Sequence, residues 1–244
     1  MNRRRIFHDA PLRCGDSVDL DAAASHHLSK VLRCRVGEQL ELFNGDGCGY
    51  LATIHEITRR GTRVGVAGQS PPEAAPALAI HLGLPLSKGQ RMDFALQKAV
   101  ELGVAAITPL LTAHAAVKLP PQRLQHKQQH WRQVVISACE QCGRNRLPQL
   151  HAPLALDDWP AAEVGSGILL DPQAQQTLAS LAAPAANATL YLVCGPEGGL
   201  SRAETERLQQ RRFSAVRLGP RVLRTETAPL AAIAALQALW GDFR

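Results

Sequence analysis

Apolar positions along this chain follow two rhythms. In Gln39-Leu-Glu-Leu-Phe43, Tyr50-Leu-Ala-Thr-Ile-His55 and Thr62-Arg-Val-Gly-Val66 they alternate with polar ones. A period of two puts every second side chain on one face, so these runs predict short strands with one side buried. Asn44-Gly-Asp-Gly47 predicts a hairpin turn between the first two, and residues 59–61 a second turn. One helix is predicted over 22–32, with His26, Lys30 and Arg33 on its polar face. Short strands joined by tight turns make a small β-barrel over residues 1–70.

Residues 69–76 read Gln-Ser-Pro-Pro-Glu-Ala-Ala-Pro and carry no apolar period, which predicts a domain boundary. The rhythm then changes. Short apolar runs at 78–84, 104–110, 168–171, 189–194 and 215–218 predict buried strands. Helical patterns lie between or after them at 91–102, 121–143, 201–210 and 227–240. Strands alternating with helices predict an α/β domain with a parallel sheet over 77–244.

Composition narrows the class. Hydrophobic residues are 45% and charged residues 20% of the 244, which excludes a disordered or fibrous chain. The apolar runs at 168–170 and 190–194 are far too short to span a bilayer. Arginines 3–5 are followed by Asp9, Arg13 and Asp16 rather than by an apolar stretch, so a secretory signal is not expected and a cytoplasmic protein is.

The net charge of +6 is unevenly spread. Residues 1–70 carry 10 Lys+Arg against 8 Asp+Glu, residues 71–150 carry 9 against 4, and residues 151–244 carry 8 against 9. All 9 histidines lie at or before His151. The first two thirds therefore suit an anionic partner, with nucleic acid and a plain solvated surface as the two readings. Cys139 and Cys142 form one Cys-x-x-Cys, but no second close pair exists to complete a structural zinc site, and no metal is expected.

Two loops leading from strands into helices carry candidate chemistry, because ligands of parallel sheets sit at such strand ends. Gly195-Pro-Glu-Gly-Gly199 leaves backbone amides free to meet a flat ligand, and Ser201 with Glu204 is a capping box that starts the next helix. Leu218-Gly-Pro-Arg-Val-Leu-Arg-Thr-Glu-Thr-Ala228 runs from a strand straight into the final helix. Neither loop carries the fingerprint of a dinucleotide fold or of a P-loop.

These two loops resemble those of the RsmE family, the 16S ribosomal RNA uracil-N3 methyltransferases of the SPOUT superfamily. His26-His-Leu-x-x-Val-Leu-Arg33, Leu42-Phe-Asn-Gly-x-Gly47, Arg91-Met92, Gln97-Lys-Ala-Val-Glu-Leu-Gly-Val104 and Glu140-Gln-Cys-Gly-Arg144 extend the resemblance over nearly the whole chain. It implies a PUA-like RNA-binding β-barrel followed by a SPOUT α/β domain ending in a deep trefoil knot. It also implies a homodimer and S-adenosylmethionine as methyl donor. The implied cofactor contacts are Leu170, Gly195, Glu197, Gly198, Gly199, Leu218, Gly219, Val222, Leu223 and Thr227.

The resemblance further implies a uridine of 16S rRNA, within the small ribosomal subunit, as target. Losing the N3 proton leaves negative charge on O2 and O4, which a guanidinium would stabilise. Arg224, or Arg144 from a second subunit, suits that role. Glu197 and Glu226 are candidate bases, and either could instead orient the loops. Arg3, Arg4, Arg5, Lys30, Arg33 and Arg35 are the expected phosphate contacts. One departure stands out: Leu111-Thr-Ala-His-Ala-Ala116 replaces the Ser/Thr-x-Arg-Ser element usual in the family. Two other readings stay open, a SPOUT enzyme for another RNA position and an RNA-binding factor that does not methylate.

Overall fold

The computed structural model describes residues 4–115, 120–159 and 167–244. Arg3 and Ala116 lie outside the described residues. The chain divides into two compact units, Met1–Ala75 with Ile136–Leu147, and Pro76–Val135 with Pro148–Arg244.

The first unit contains β1 (Arg5–Phe7), β2 (Ser17–Asp19), α1 (Ala22–His26), β3 (Gln39–Phe43), β4 (Tyr50–Ile57) and β5 (Thr62–Gln69). Its sheet runs β1-β3-β4-β5-β2, with β1 parallel to β3 and the other pairs antiparallel. Period-two patterning decides which side chains enter the core: Leu40, Leu42, Ala52, Ile54, Val64 and Val66 are buried together with Ile6 and Leu28. In the β3–β4 turn, Gly45 and Gly47 hold φ near +93° and +99°, which only glycine adopts without strain. Tyr50 donates its hydroxyl to Asp46 at 2.6 Å, and that bond, reinforced by burial, pushes the phenol pKa up to about 12.

The helix predicted over 22–32 is only partly regular. After α1 the chain widens into a π-helical turn at His27–Val31, where Leu32 N–H bonds five residues back to His27 O. Arg33 then turns left-handed at φ 51° and ends it.

A boundary at residue 77 misses one return of the chain. Ile136–Leu147 belongs with the first unit because its polar groups bond there. Phe7 N–H donates to Glu140, and the Asn145 and Arg146 amides donate to Glu73 at 2.6 and 3.1 Å.

The second unit holds β6 (Ala79–Pro85), α2 (Gln90–Glu101), β7 (Ala106–Leu111), the start of α3 (Pro121–Cys142), β8 (Gln149–Leu150), β9 (Leu154–Ala155) and β10 (Gly167–Leu170). It continues with β11 (Gln176–Thr177), a 3-10 turn at Leu178–Ser180, β12 (Thr189–Cys194), α4 (Arg202–Gln210), β13 (Phe213–Arg217) and α5 (Thr227–Trp240). The sheet runs β11-β13-β10-β12-β6-β7-β8, with β9 also on β7, and every pair is parallel. Its central strands are buried nearly throughout, which explains their unbroken apolar runs. Because β10 lies between β12 and β13, the chain crosses it on the way through α4. It then returns, laying α5 against β12, α2 and the turn at Leu178–Ser180. Among the described residues no helix is long and apolar enough to cross a membrane.

A buried ionisable side chain lies on this sheet away from the strand ends. His81 on β6 stacks on His151 with ring centroids 5.0 Å apart, meets Trp159 and Tyr191, and bonds through Nε2 to Thr108 Oγ1 at 2.7 Å. Burial, and then the neighbouring His151, lower its pKa to about 4.

Candidate active site

Three adjacent strands, β13, β10 and β12, end side by side, and a cavity of about 660 Å³ opens beyond them. That volume suits a small organic ligand. Its walls are the strand ends and the loops that follow: Leu170 to Pro172 after β10, Cys194 to Glu197 after β12, and Leu218 with 221–226 after β13. Arg91, at the start of α2, stands at the rim and pairs with Glu197 at 2.9 Å.

The glycine loop is tight for a reason of space. A Cβ on Gly195 would stand 3.0 Å from Leu200 N and 3.2 Å from Gly199 backbone carbons, so two stretches of main chain touch there. Gly199 itself holds φ at +72°. The loop ends in the expected capping box. Ser201 N–H donates to Glu204 Oε2 at 2.8 Å, and Glu204 N–H donates to Ser201 Oγ at 3.3 Å. The second carboxylate oxygen of Glu204 accepts from Ala113 N–H at 2.8 Å. Burial by itself would raise the pKa of Glu204, but the amides of Ala113 and Ser201, the Ser201 hydroxyl and His114 outweigh it and hold the carboxyl below the usual range.

Of the predicted cofactor contacts, Leu170, Gly195, Glu197, Gly199, Leu218, Val222 and Leu223 line the cavity, as does Arg224. Gly198, Gly219 and Thr227 sit in the same loops in other roles. A Cβ on Gly198 would meet His114 Cβ at 3.1 Å, Gly219 turns at φ +74°, and Thr227 N–H donates to Arg224 O. Sequence reasoning gave no role to Arg91, Asp171, Cys194 or Thr225, which also line it. Asp171 and Cys194 follow from their places at strand ends, whereas nothing local marks Arg91. Cys194 is sealed in the wall, and burial pushes its thiol pKa up to about 12, which removes it as a nucleophile.

The predicted RNA contacts divide. Lys30, Arg33 and Arg35 are exposed beside Val31 and Val36. Arg4 is ion-paired with Glu38. Arg5 belongs to the fold: it pairs with Glu41, donates to Arg144 O and Asn145 Oδ1, and covers the Phe43 ring at 4.8 Å. Arg144 lies in the first unit, outside the cavity wall.

The cavity fits a ligand carrying both apolar and polar groups. Glu226 lines it, and Oε2 of that carboxylate is buried with no hydrogen-bond partner in the protein. The Glu226 carboxylate thus gives the cavity wall a group able to accept from a ligand's donors.

This fold with its cavity matches the methyltransferases of RNA. Residues 74–237 match the RNA methyltransferase domain family and residues 20–64 the RNA methyltransferase PUA domain. Ribosomal RNA small subunit methyltransferase E of Buchnera aphidicola subsp. Schizaphis graminum is 36% identical, covering 98% of this chain and 97% of its own. Two solved structures each cover 99% of this chain and 100% of their own. One, a methyltransferase of Legionella pneumophila in complex with the bound cofactor SAM, is 38% identical with a TM-score of 0.94. The other, ribosomal RNA small subunit methyltransferase E of Neisseria gonorrhoeae bound to S-adenosyl methionine, is 36% identical with a TM-score of 0.88. The chain belongs to the ribosomal RNA small subunit methyltransferase E family.

Proposed function

We propose that this protein uses S-adenosylmethionine to methylate N3 of uridine 1498 in 16S rRNA, on the assembled small subunit, as a cytoplasmic homodimer. The observation that carries the reading is the cavity at the ends of β10, β12 and β13, in a chain whose full-length relatives hold that cofactor. The return of α5 past β10 is the thread of the proposed trefoil knot.

S-adenosylmethionine, when bound, supplies an electrophilic methyl group on a sulfonium. The loops after β10, β12 and β13 would hold it, with the Glu226 carboxylate among the groups able to accept from it. Arg224, exposed on the last of these loops, meets the negative charge that spreads to uracil O2 and O4 as N3 gives its proton to water. Arg144 of the first unit is the second candidate for that charge, reaching the cavity of another copy in the dimer. Glu197, paired with Arg91, fixes the rim. Most of the acceleration then comes from aligning N3 with the methyl group.

The test incubates the chain with labelled S-adenosylmethionine and undermethylated small subunits, then identifies the methylated nucleoside by mass spectrometry. The expected product is 3-methyluridine, formed by the wild type and by Cys142→Ala and lost at least a hundredfold in Arg224→Ala. Methyl on a ribose or a guanine would reassign the target, and no transfer to any RNA would leave an RNA-binding factor.

A further inference from the structure

The loop that replaces the family's Ser/Thr-x-Arg-Ser element is fastened to the glycine loop. Ala115 N–H closes a turn onto Thr112 O at 3.1 Å, and Ala113 N–H reaches Glu204 at 2.8 Å. Between them, Nδ1 of His114 lies 3.2 Å from Gly199 O. A carbonyl oxygen only accepts, so Nδ1 must carry the proton and donate. The bond thereby fixes a proton on Nδ1 of His114.

The peptide that receives this bond forms part of the cavity. Gly199 and Leu200 both line it, and Gly199 has no side chain with which to hold its place. On another side the same peptide packs on Gly195, whose added Cβ would stand 3.0 Å from Leu200 N. The 199–200 peptide is thus located by Gly195 through contact and by His114 through a hydrogen bond. We propose that His114 is a positioning residue for cofactor binding, which sets the 199–200 peptide against the cofactor. This rests on the cofactor reading above.

The side chains of Asn and Gln separate the two ring nitrogens. Asn places its amide nitrogen near the position of Nδ1, and Gln near that of Nε2. Calorimetry with S-adenosylmethionine is expected to show His114→Ala and His114→Gln weakened about five- to tenfold, the worth of one neutral hydrogen bond, and His114→Asn within twofold of wild type. At saturating cofactor kcat stays within about twofold for all three, and the pH profile of kcat does not move. Nitrogen-15 spectra of the cofactor-free wild type are expected to show His114 protonated at Nδ1 at neutral pH. Thermal melting confirms that each variant is folded.

An Nε2–H tautomer, an Asn variant as weak as Ala, or a lost kcat at unchanged affinity would overturn the role. Wild type binding with His114→Ala unaltered would do the same and leave the cofactor reading standing. A wild type that binds no S-adenosylmethionine would overturn the cofactor reading itself.

Discussion

His81 shows what burial does to a single ionisable side chain. The unfolded chain takes up a proton on it near pH 6.5, whereas the folded chain resists until about pH 4. Between those values only the unfolded state is protonated, so acid draws the equilibrium toward unfolding. Its contribution is whole above pH 6.5 and is lost as pH falls to 4, at most about 3 kcal/mol. Urea unfolding at a series of pH values should show that loss. In His81→Gln, whose amide can still meet Thr108, the curve should be flatter over the same window, and an unchanged slope would assign the loss elsewhere. Glu204 acts in the lower range: its depressed pKa makes a contribution that is present above the ordinary 4.5 and disappears only as pH falls through the depressed value. Nothing in the sequence around His81 announced this, because its ring partners lie on β7, β12 and the segments holding His151 and Trp159.

Among the elements, those with several periods of pattern were readable and the shortest were not. The strand read at 189–194 and the helix begun by Ser201 stand where an apolar run and a capping box put them. β8, β9 and β11 have two residues each, too few to show any period. The π-helical turn escaped notice because its residues differ little in preference from α-helical ones. The basic run at its end gave a mixed signal for a related reason. Local charge marks Arg5 as much as Arg33, but Glu41, Phe43 and Asn145, which claim Arg5, are 36 to 140 residues away. Removing Arg33 and Arg35 together should weaken binding to small-subunit RNA, leave cofactor affinity unchanged, and lower the slope of log affinity against log salt by about 1.5 to 2. Filter binding across a salt series reads both effects, and an unaltered slope would take these side chains off the RNA.

For the molecule entire, both halves and the place of the cavity were visible in sequence, whereas the return of Ile136–Leu147 to the first unit was not. That return depends on Glu73 and Phe7 finding partners some 70 to 130 residues on, which no window of sequence displays. The division into units supplies its own reporter. All three tryptophans, Trp131, Trp159 and Trp240, belong to the second unit, with the cavity. S-adenosylmethionine at a hundredfold excess over its Kd should stabilise that unit by about 2.7 kcal/mol. The tryptophan-fluorescence melting curve should therefore move upward with cofactor, and a curve indifferent to it would place the ligand outside this cavity.

The three walls of the cavity follow β10, β12 and β13, so its parts are widely spaced in the order of synthesis. A ribosome making this chain has produced the whole first unit, through Leu147, before any of those walls exists. The last wall is missing until residue 226 has emerged from the exit tunnel. A growing chain can thus acquire its first unit well before it can hold a methyl donor. A stall in translation between the two points would leave a chain with its first unit complete and its methyl-donor cavity unformed.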